Sequence, residues 1–119
     1  MGPFSRLKVW QAAHELVMDV YRTSRTFPAN ERFGLTMQVR RSASSVAANI
    51  AEGSRSRHRA DFARILNIAD RETSETTYHL FLARQLGYLD RPAADRLLAR
   101  ADIVARMLNG LYRRVSSGS

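Results

Sequence analysis

The chain has 119 residues, of which 45% are hydrophobic and 25% charged, and this predicts a single folded domain over residues 1–119. It contains no cysteine, which excludes disulfides, thiolate catalysis and cysteine-based zinc sites. Its longest uncharged run, residues 42–51, is about half as long as a membrane-spanning helix requires. Charged residues interrupt the N-terminal segment, so it has no apolar signal core, and we expect an untargeted cytoplasmic protein without a membrane partner.

The charge of the chain is strongly positive and unevenly distributed. Nineteen basic residues stand against 11 acidic ones, a formal charge of +8, and residues 1–60 hold 10 of the basic and only 4 of the acidic residues. A basic domain attracts polyanions, of which nucleic acid is the commonest. A solvated surface that only keeps the protein soluble would explain the same excess, so charge alone leaves both interpretations open.

Helical periodicity divides the chain into four segments, at about residues 8–26, 31–52, 59–86 and 91–115. Residues typical of turns separate them at residues 28–30, 53–54 and 87–92. Long helices joined by short connections pack as antiparallel neighbours. The pattern therefore predicts an all-α, antiparallel up-down four-helix bundle in which these residues are substantially buried: Trp10, Leu16, Val39, Val46, Leu66, Leu80, Val104 and Leu108.

Local signals indicate where the helices begin and end. Asn30 is a good N-cap for the second helix, and Gly53 is placed to act as its C-cap. Gly87 follows the third helix in the same way. Asp90 is the expected N-cap of the fourth helix, with Pro92 in its first turn.

The second helix has two apolar faces instead of one. Besides its core stripe, it carries a second face of small or apolar residues: Phe33, Met37, Ser44, Ala48 and Ala51. Small residues permit another helix to approach closely, and that helix belongs either to the same bundle or to another subunit. Between the two faces runs a polar stripe, within which we interpret three residues as structural: Gln38, Asn49 and Glu52.

No catalytic or metal-binding pattern is evident. A di-iron bundle needs Glu-x-x-His on two helices, whereas this chain has only Glu75 and His79, four residues apart. Glycine-rich phosphate loops and nucleophile elbows are also absent from the sequence. We expect no metal, no cofactor and no enzymatic activity.

Several motifs together resemble the four-helix-bundle family of proteins encoded in intervening sequences of 23S ribosomal RNA genes. The resemblance extends from about Phe4 to Tyr112, and its most specific parts are Lys-Val-Trp at 8–10, Glu-Arg-Phe-Gly-Leu at 31–35, Asn-Ile-Ala-Glu-Gly at 49–53 and Leu-Gly-Tyr-Leu at 86–89. It implies a non-catalytic bundle that assembles into a homo-oligomeric ring, typically a pentamer. The chain is also similar to accessory variability proteins of retroelements, which implies binding of nucleic acid and of a reverse transcriptase.

The leading hypothesis is a homo-oligomer that binds RNA or single-stranded DNA through phosphates, without reading bases. Its candidate contacts are Arg40, Arg41, Arg55, Arg57 and Arg59. At least one of the first two should also pair with a carboxylate such as Glu52, and the subunit interface should contain Met37, Ser44, Ala48 and Ala51. The alternatives are an adaptor for an acidic protein partner and an enzyme with an unrecognised pocket.

Overall fold

The computed structural model describes residue 4 and residues 7–118. These residues form no strand but four α-helices: α1 (Lys8–Ser24), α2 (Leu35–Gly53), α3 (Arg59–Gln85) and α4 (Arg91–Ser116). Successive helices pack against each other and α1 packs against α4, giving an up-down bundle of 45 × 22 × 21 Å. The all-α prediction is confirmed. None of the described helices has the length and apolar composition needed to cross a membrane.

The core consists of aliphatic side chains from all four helices. Seven of the eight residues predicted there are buried: Leu16, Val39, Val46, Leu66, Leu80, Val104 and Leu108. Trp10, which was also predicted to be substantially buried, is partly buried and packs against the margin of the core. Its indole stacks on the ring of His14, with centroids 4.9 Å apart, while Phe4 meets it edge-on at 5.0 Å. Trp10 therefore belongs to an aromatic cluster on the flank of α1.

The start of α2 differs from the sequence prediction. Asn30 is not its N-cap but lies within a short 3₁₀ turn, Ala29–Glu31, and α2 begins at Leu35. The carboxylate of Glu31 instead accepts a hydrogen bond from the Leu35 backbone N–H, at 3.0 Å, and another from the Tyr88 hydroxyl, at 2.9 Å. These bonds, first that of Leu35 and then that of Tyr88, hold the pKa of Glu31 below its usual range. One carboxylate thus ties the α1–α2 connection to the α3–α4 connection.

Two glycines end helices for different physical reasons. Gly87 has φ +80°, and it ends α3 in a Schellman motif, with hydrogen bonds from Gly87 N to Arg84 O and from Tyr88 N to Ala83 O. The second helix ends at Gly53, as predicted, but this glycine lacks the left-handed conformation and the C-cap position is Ser54. A Cβ at Gly53 would lie 3.0 Å from Phe62 Cδ1, so this glycine permits close approach of α3.

The start of α4 agrees with the sequence prediction. The side chain of Asp90 accepts a hydrogen bond from the backbone N–H of Ala93 at 2.8 Å, and Pro92 lies in the first turn. Both residues suit a helix start for local reasons: Asp90 supplies an acceptor to a free N–H, and Pro92 has no N–H to leave unpaired.

Candidate assembly and nucleic-acid surfaces

The side of α2 that faces away from the core carries Met37, Ser44, Ala48 and Ala51, which we call the helix-two outer face. Met37 is 44% exposed and Ala48 is also exposed, while Ser44 and Ala51 are half-buried. The hydroxyl of Ser44 donates to the Arg40 carbonyl at 2.7 Å, so its polarity is satisfied within the helix. The described helices of this chain therefore leave the face uncovered, and it is small, weakly polar and accessible.

Larger apolar side chains extend this face at the N-terminal end of α2. Phe33 is 76% exposed and Tyr21 is 42% exposed, and with Met37 they line a cleft of about 370 Å³. Monomeric soluble proteins seldom expose contiguous apolar patches of more than a few hundred Å², and such patches often mark interaction sites. The combined surface has the composition of a protein contact.

Arg40 is held against α1 by contacts within the chain. Its Nε donates to the hydroxyl of Ser24 at 2.8 Å, and one terminal nitrogen donates to the carbonyl of Tyr21 at 3.4 Å. Its guanidinium also lies 4.9 Å from the centre of the Tyr21 ring, within cation–π range. Arg40 therefore joins α1 to α2 and closes one side of the apolar cleft.

Arg41 lines the same cleft as Arg40, but its ion pair joins α2 to α3. One terminal nitrogen donates to Glu75 at 3.1 Å and to the side-chain oxygen of Gln38 at 3.3 Å. The expectation of a carboxylate partner is confirmed, but the partner is Glu75, not Glu52. Glu75 was the better-placed acid because it lies on the adjacent helix at the same level, whereas Glu52 lies three turns further along α2.

Around Arg41, the α2–α3 boundary contains titratable groups with shifted pKa values. Burial raises the pKa of Glu72, and the hydrogen bond and negative charge of Glu75 raise it further, whereas Arg41 opposes this rise. Burial also lowers the pKa of His79, although the charge of Glu75 acts in the opposite direction. One oxygen of Glu72 and Nδ1 of His79 are buried without a hydrogen-bond partner. Burial at this boundary therefore acts against the charged forms of both groups.

The polar stripe of α2 is satisfied mainly along this boundary. Asn49 is half-buried and donates to the carbonyl of Ser45 at 2.8 Å. Ser42 is fully buried and accepts a hydrogen bond from the hydroxyl of Thr76 on α3 at 2.8 Å. Glu52 is exposed and lines a shallow cleft with Arg55. Gln38 and Asn49 thus have internal partners, while Glu52 faces solvent.

Arg55, Arg57 and Arg59 lie on and beside the α2–α3 connection, and all are exposed. The up-down topology brings the start of α1 and the end of α4 to this same end of the bundle. Those segments add Lys8, Arg113 and Arg114, which are also exposed. We call the end defined by these six residues the basic end. Its nearby acids are few, and one of them, Asp61, lies 3.5 Å from Arg64.

The five arginines that the sequence singled out do not form one patch in a single chain. Arg41 and Arg55 are 14 residues apart along α2 and its cap, which corresponds to about 21 Å at the rise of an α-helix. Arg40 and Arg41 are engaged by neighbouring helices, whereas Arg55 and Arg57 form no ion pair with the described chain. The two groups therefore have different surroundings.

Sequence reasoning missed a buried carboxylate, Asp19. Its side chain is 1% exposed and accepts hydrogen bonds from Arg96 Nε at 2.9 Å, Arg22 at 3.0 Å and the Thr23 hydroxyl at 3.2 Å. Arg100 Nε lies 3.1 Å away as an ion pair. Burial alone would raise the pKa of Asp19, but the hydrogen bonds of Arg96 and Arg22 outweigh it and lower the pKa.

Across the described part of the chain, no group of three or more histidine, cysteine or acidic residues could hold a metal ion.

Fold and surfaces together define a small all-α bundle with a basic end and an uncovered face on α2. The chain belongs to the 23S rRNA-intervening sequence protein family, whose sequence model matches residues 5–110.

A solved structure supports this assignment at the level of fold. It is that of a protein of unknown function from the S23 ribosomal protein family of Bacteroides thetaiotaomicron. The two are 26% identical and superpose with a TM-score of 0.81, over 88% of this chain and 95% of the other. We found no similar protein among those with curated functions.

Proposed function

We propose that this protein is a non-catalytic, homo-oligomeric scaffold that binds RNA or single-stranded DNA through its basic end. The observation that carries the proposal is the convergence of three chain segments at that end. The α2–α3 connection, the start of α1 and the end of α4 bring together the exposed cations Lys8, Arg55, Arg57, Arg59, Arg113 and Arg114. Segments far apart in sequence thereby build one positive surface.

Such a surface suits phosphates and not base edges. Arginine binds phosphate oxygens well, because its guanidinium is planar and always charged. The described fold contains no recognition helix or RNA-recognition sheet, so we expect affinity without sequence preference. Release of counterions from the nucleic acid would supply the binding free energy and make it depend steeply on salt.

The helix-two outer face supports assembly as the second part of the proposal. Met37 and Ala48 on this face are exposed in the single chain, as is the apolar cleft beside it, so these residues contribute little to its stability. A ring, with five subunits favoured from the family resemblance, would cover this face in every subunit. Cyclic symmetry would also point all basic ends in one direction and form a belt of positive charge.

The salt dependence of binding to a single-stranded RNA oligonucleotide tests the nucleic-acid part. Replacing Arg55, Arg57 and Arg59 together by serine should weaken binding at low salt. It should also reduce the slope of log K against log salt by about 2 for each chain engaged, because each lost phosphate contact contributes roughly 0.7. The matched control replaces Arg25, Arg71 and Arg91, three exposed arginines outside the basic end, and should change the slope much less.

An adaptor for an acidic protein, such as the reverse transcriptase that the resemblance suggests, is the second candidate. The uncovered apolar cleft beside α2 favours it, because apolar contacts are typical of protein interfaces. The same titration separates the two functions. If the Arg55, Arg57 and Arg59 triple variant binds RNA as tightly as the parent at every salt concentration, the basic end does not bind nucleic acid.

A further inference from the structure

A groove of about 560 Å³ lies between the start of α1 and the last turns of α4. Its floor is apolar and consists of Leu7, Val9, Met107 and Leu111. Its volume is within the range of sites that bind ligands. It is partly open to solvent, so a segment of another protein can reach its floor.

Gly110 interrupts the floor of this groove, and the fold itself does not require a glycine there. The residue lies within α4, where glycine destabilises a helix relative to alanine. A Cβ at this position would meet no atom closer than a terminal nitrogen of Arg114, at 3.8 Å. The missing side chain therefore leaves a flat site where the backbone of another segment can approach α4.

The rim of the groove is positively charged. Lys8 and Arg114 are exposed and form no ion pair with the described residues, while Arg106 pairs with Asp102 of its own helix at 3.0 Å. Unpaired cations beside an apolar floor complement a segment that has apolar and acidic residues. A second copy of this chain has 19 basic against 11 acidic residues, so an acidic partner complements this rim better than another copy does. Phe4 lies against Trp10, away from the groove.

We propose that this groove binds a short amphipathic helix from an acidic protein partner. Apolar side chains of that helix, spaced by three or four residues, would contact the floor, and its backbone would pass closest to α4 at Gly110. Acidic residues flanking its apolar stripe would pair with Lys8 and Arg114. This inference goes beyond the proposed function, because it assigns a protein partner to an apolar groove whose rim shares Lys8 and Arg114 with the basic end.

A labelled synthetic peptide tests the proposal with the full-length protein. The probe is a helical peptide with leucines at i, i+4 and i+7 and glutamates on both flanks, and its control has lysines in place of the glutamates. Fluorescence anisotropy should show binding of the glutamate peptide only. Gly110→Leu should weaken that binding by at least about tenfold, because the leucine fills the floor. Its melting temperature should equal or exceed that of the parent, which separates lost binding from lost folding.

A pair of charge variants tests the rim. Arg114→Glu should weaken peptide binding severalfold, whereas Arg113→Glu, at the neighbouring position outside the groove, should weaken it less. Equal binding of the two peptides, or unchanged binding by Gly110→Leu, would overturn the proposal. It is also overturned if Gly110→Leu alters the subunit number in light scattering, which would make the groove a contact between copies. Loss of RNA binding by Gly110→Leu would assign the groove to nucleic acid instead.

Discussion

At the scale of single residues, Asp19 is the main electrostatic link between α1 and α4. Its carboxylate is buried, and the guanidinium groups of Arg96 and Arg100 reach it from the opposite helix. The pKa of Asp19 is lowered in the folded protein. A group with a lowered pKa stabilises the fold above its unfolded pKa, about 3.9, and this contribution disappears as the pH falls through the folded pKa.

We expect Asp19→Asn to lower the free energy of unfolding at pH 7 by about 2 kcal/mol, because three guanidinium groups lose their common partner. This figure is below that of a fully buried pair, since Arg96, at 46% exposed, can be hydrated once the carboxylate is removed. Urea denaturation at pH 7 measures the change. As the pH falls below about 4, Asp19→Asn should also lose less stability than the parent does.

The matched control for this prediction is Glu15→Gln. Glu15 pairs with Arg100 at 3.2 Å, but its side chain is 68% exposed. An exposed ion pair contributes less than about 1 kcal/mol, so this variant should unfold close to the parent. Equal stabilities of Asp19→Asn and Glu15→Gln at pH 7 would contradict the role assigned to the buried carboxylate.

Asp19 was predictable in part from the sequence. It lies between Leu16 and Val20 within the apolar stripe of the first helix, where an aspartate needs a partner. Arg96 and Arg100, one turn apart on the fourth helix, are the complementary signal. Which residues of α4 lie opposite Asp19 depends on how α1 and α4 are shifted along the bundle axis. The hydrophobic periodicity of either helix alone does not determine that shift.

At the scale of secondary-structure elements, the termini that sequence predicted correctly are those set by local interactions. Asp90 caps α4 with its own side chain, and Gly87 supplies the backbone conformation that ends α3. The start of α2 could not be predicted in this way, because Glu31 is oriented by Tyr88, 57 residues away. Short-range patterns cannot report such a contact.

The same substitution should destabilise the protein at Gly53 but leave its stability almost unchanged at Gly110. Gly53→Val should destabilise the protein by about 2 kcal/mol, because the added atoms meet Phe62 and Ile65 of α3 in a packed site. Gly110→Val should change stability by less than about 0.5 kcal/mol, since its surroundings are open. Thermal or urea unfolding of both variants checks the prediction. A parent-like Gly53→Val would mean that α3 moves away at little cost.

At the scale of the whole molecule, the sequence indicated the charge excess but not its location. Lys8, Arg55 and Arg113 are separated by more than 40 residues each, and only the up-down topology places them at one end. The helix-two outer face was easier to predict, because its residues recur at helical spacing within one element. Whether another chain covers that face is a property of the assembly, which the fold of one chain does not determine.

Ala48→Arg tests whether the helix-two outer face is a subunit contact. Ala48 is exposed, so the arginine can be accommodated in the single chain and the fold should be as stable as that of the parent. In an assembly that buries this face, the same side chain would enter a contact built around a methyl group and bring an unpaired charge with it. Native mass spectrometry at micromolar concentration should therefore detect a closed oligomer, five subunits favoured, for the parent and dissociated chains for the variant. Asn67→Arg, an equal change on the exposed side of α3, serves as the control and should leave the oligomer intact. If the parent protein is a 13.5 kDa monomer, the ring is refuted. The exposed Met37 and Phe33 would then be candidates for contact with a different protein.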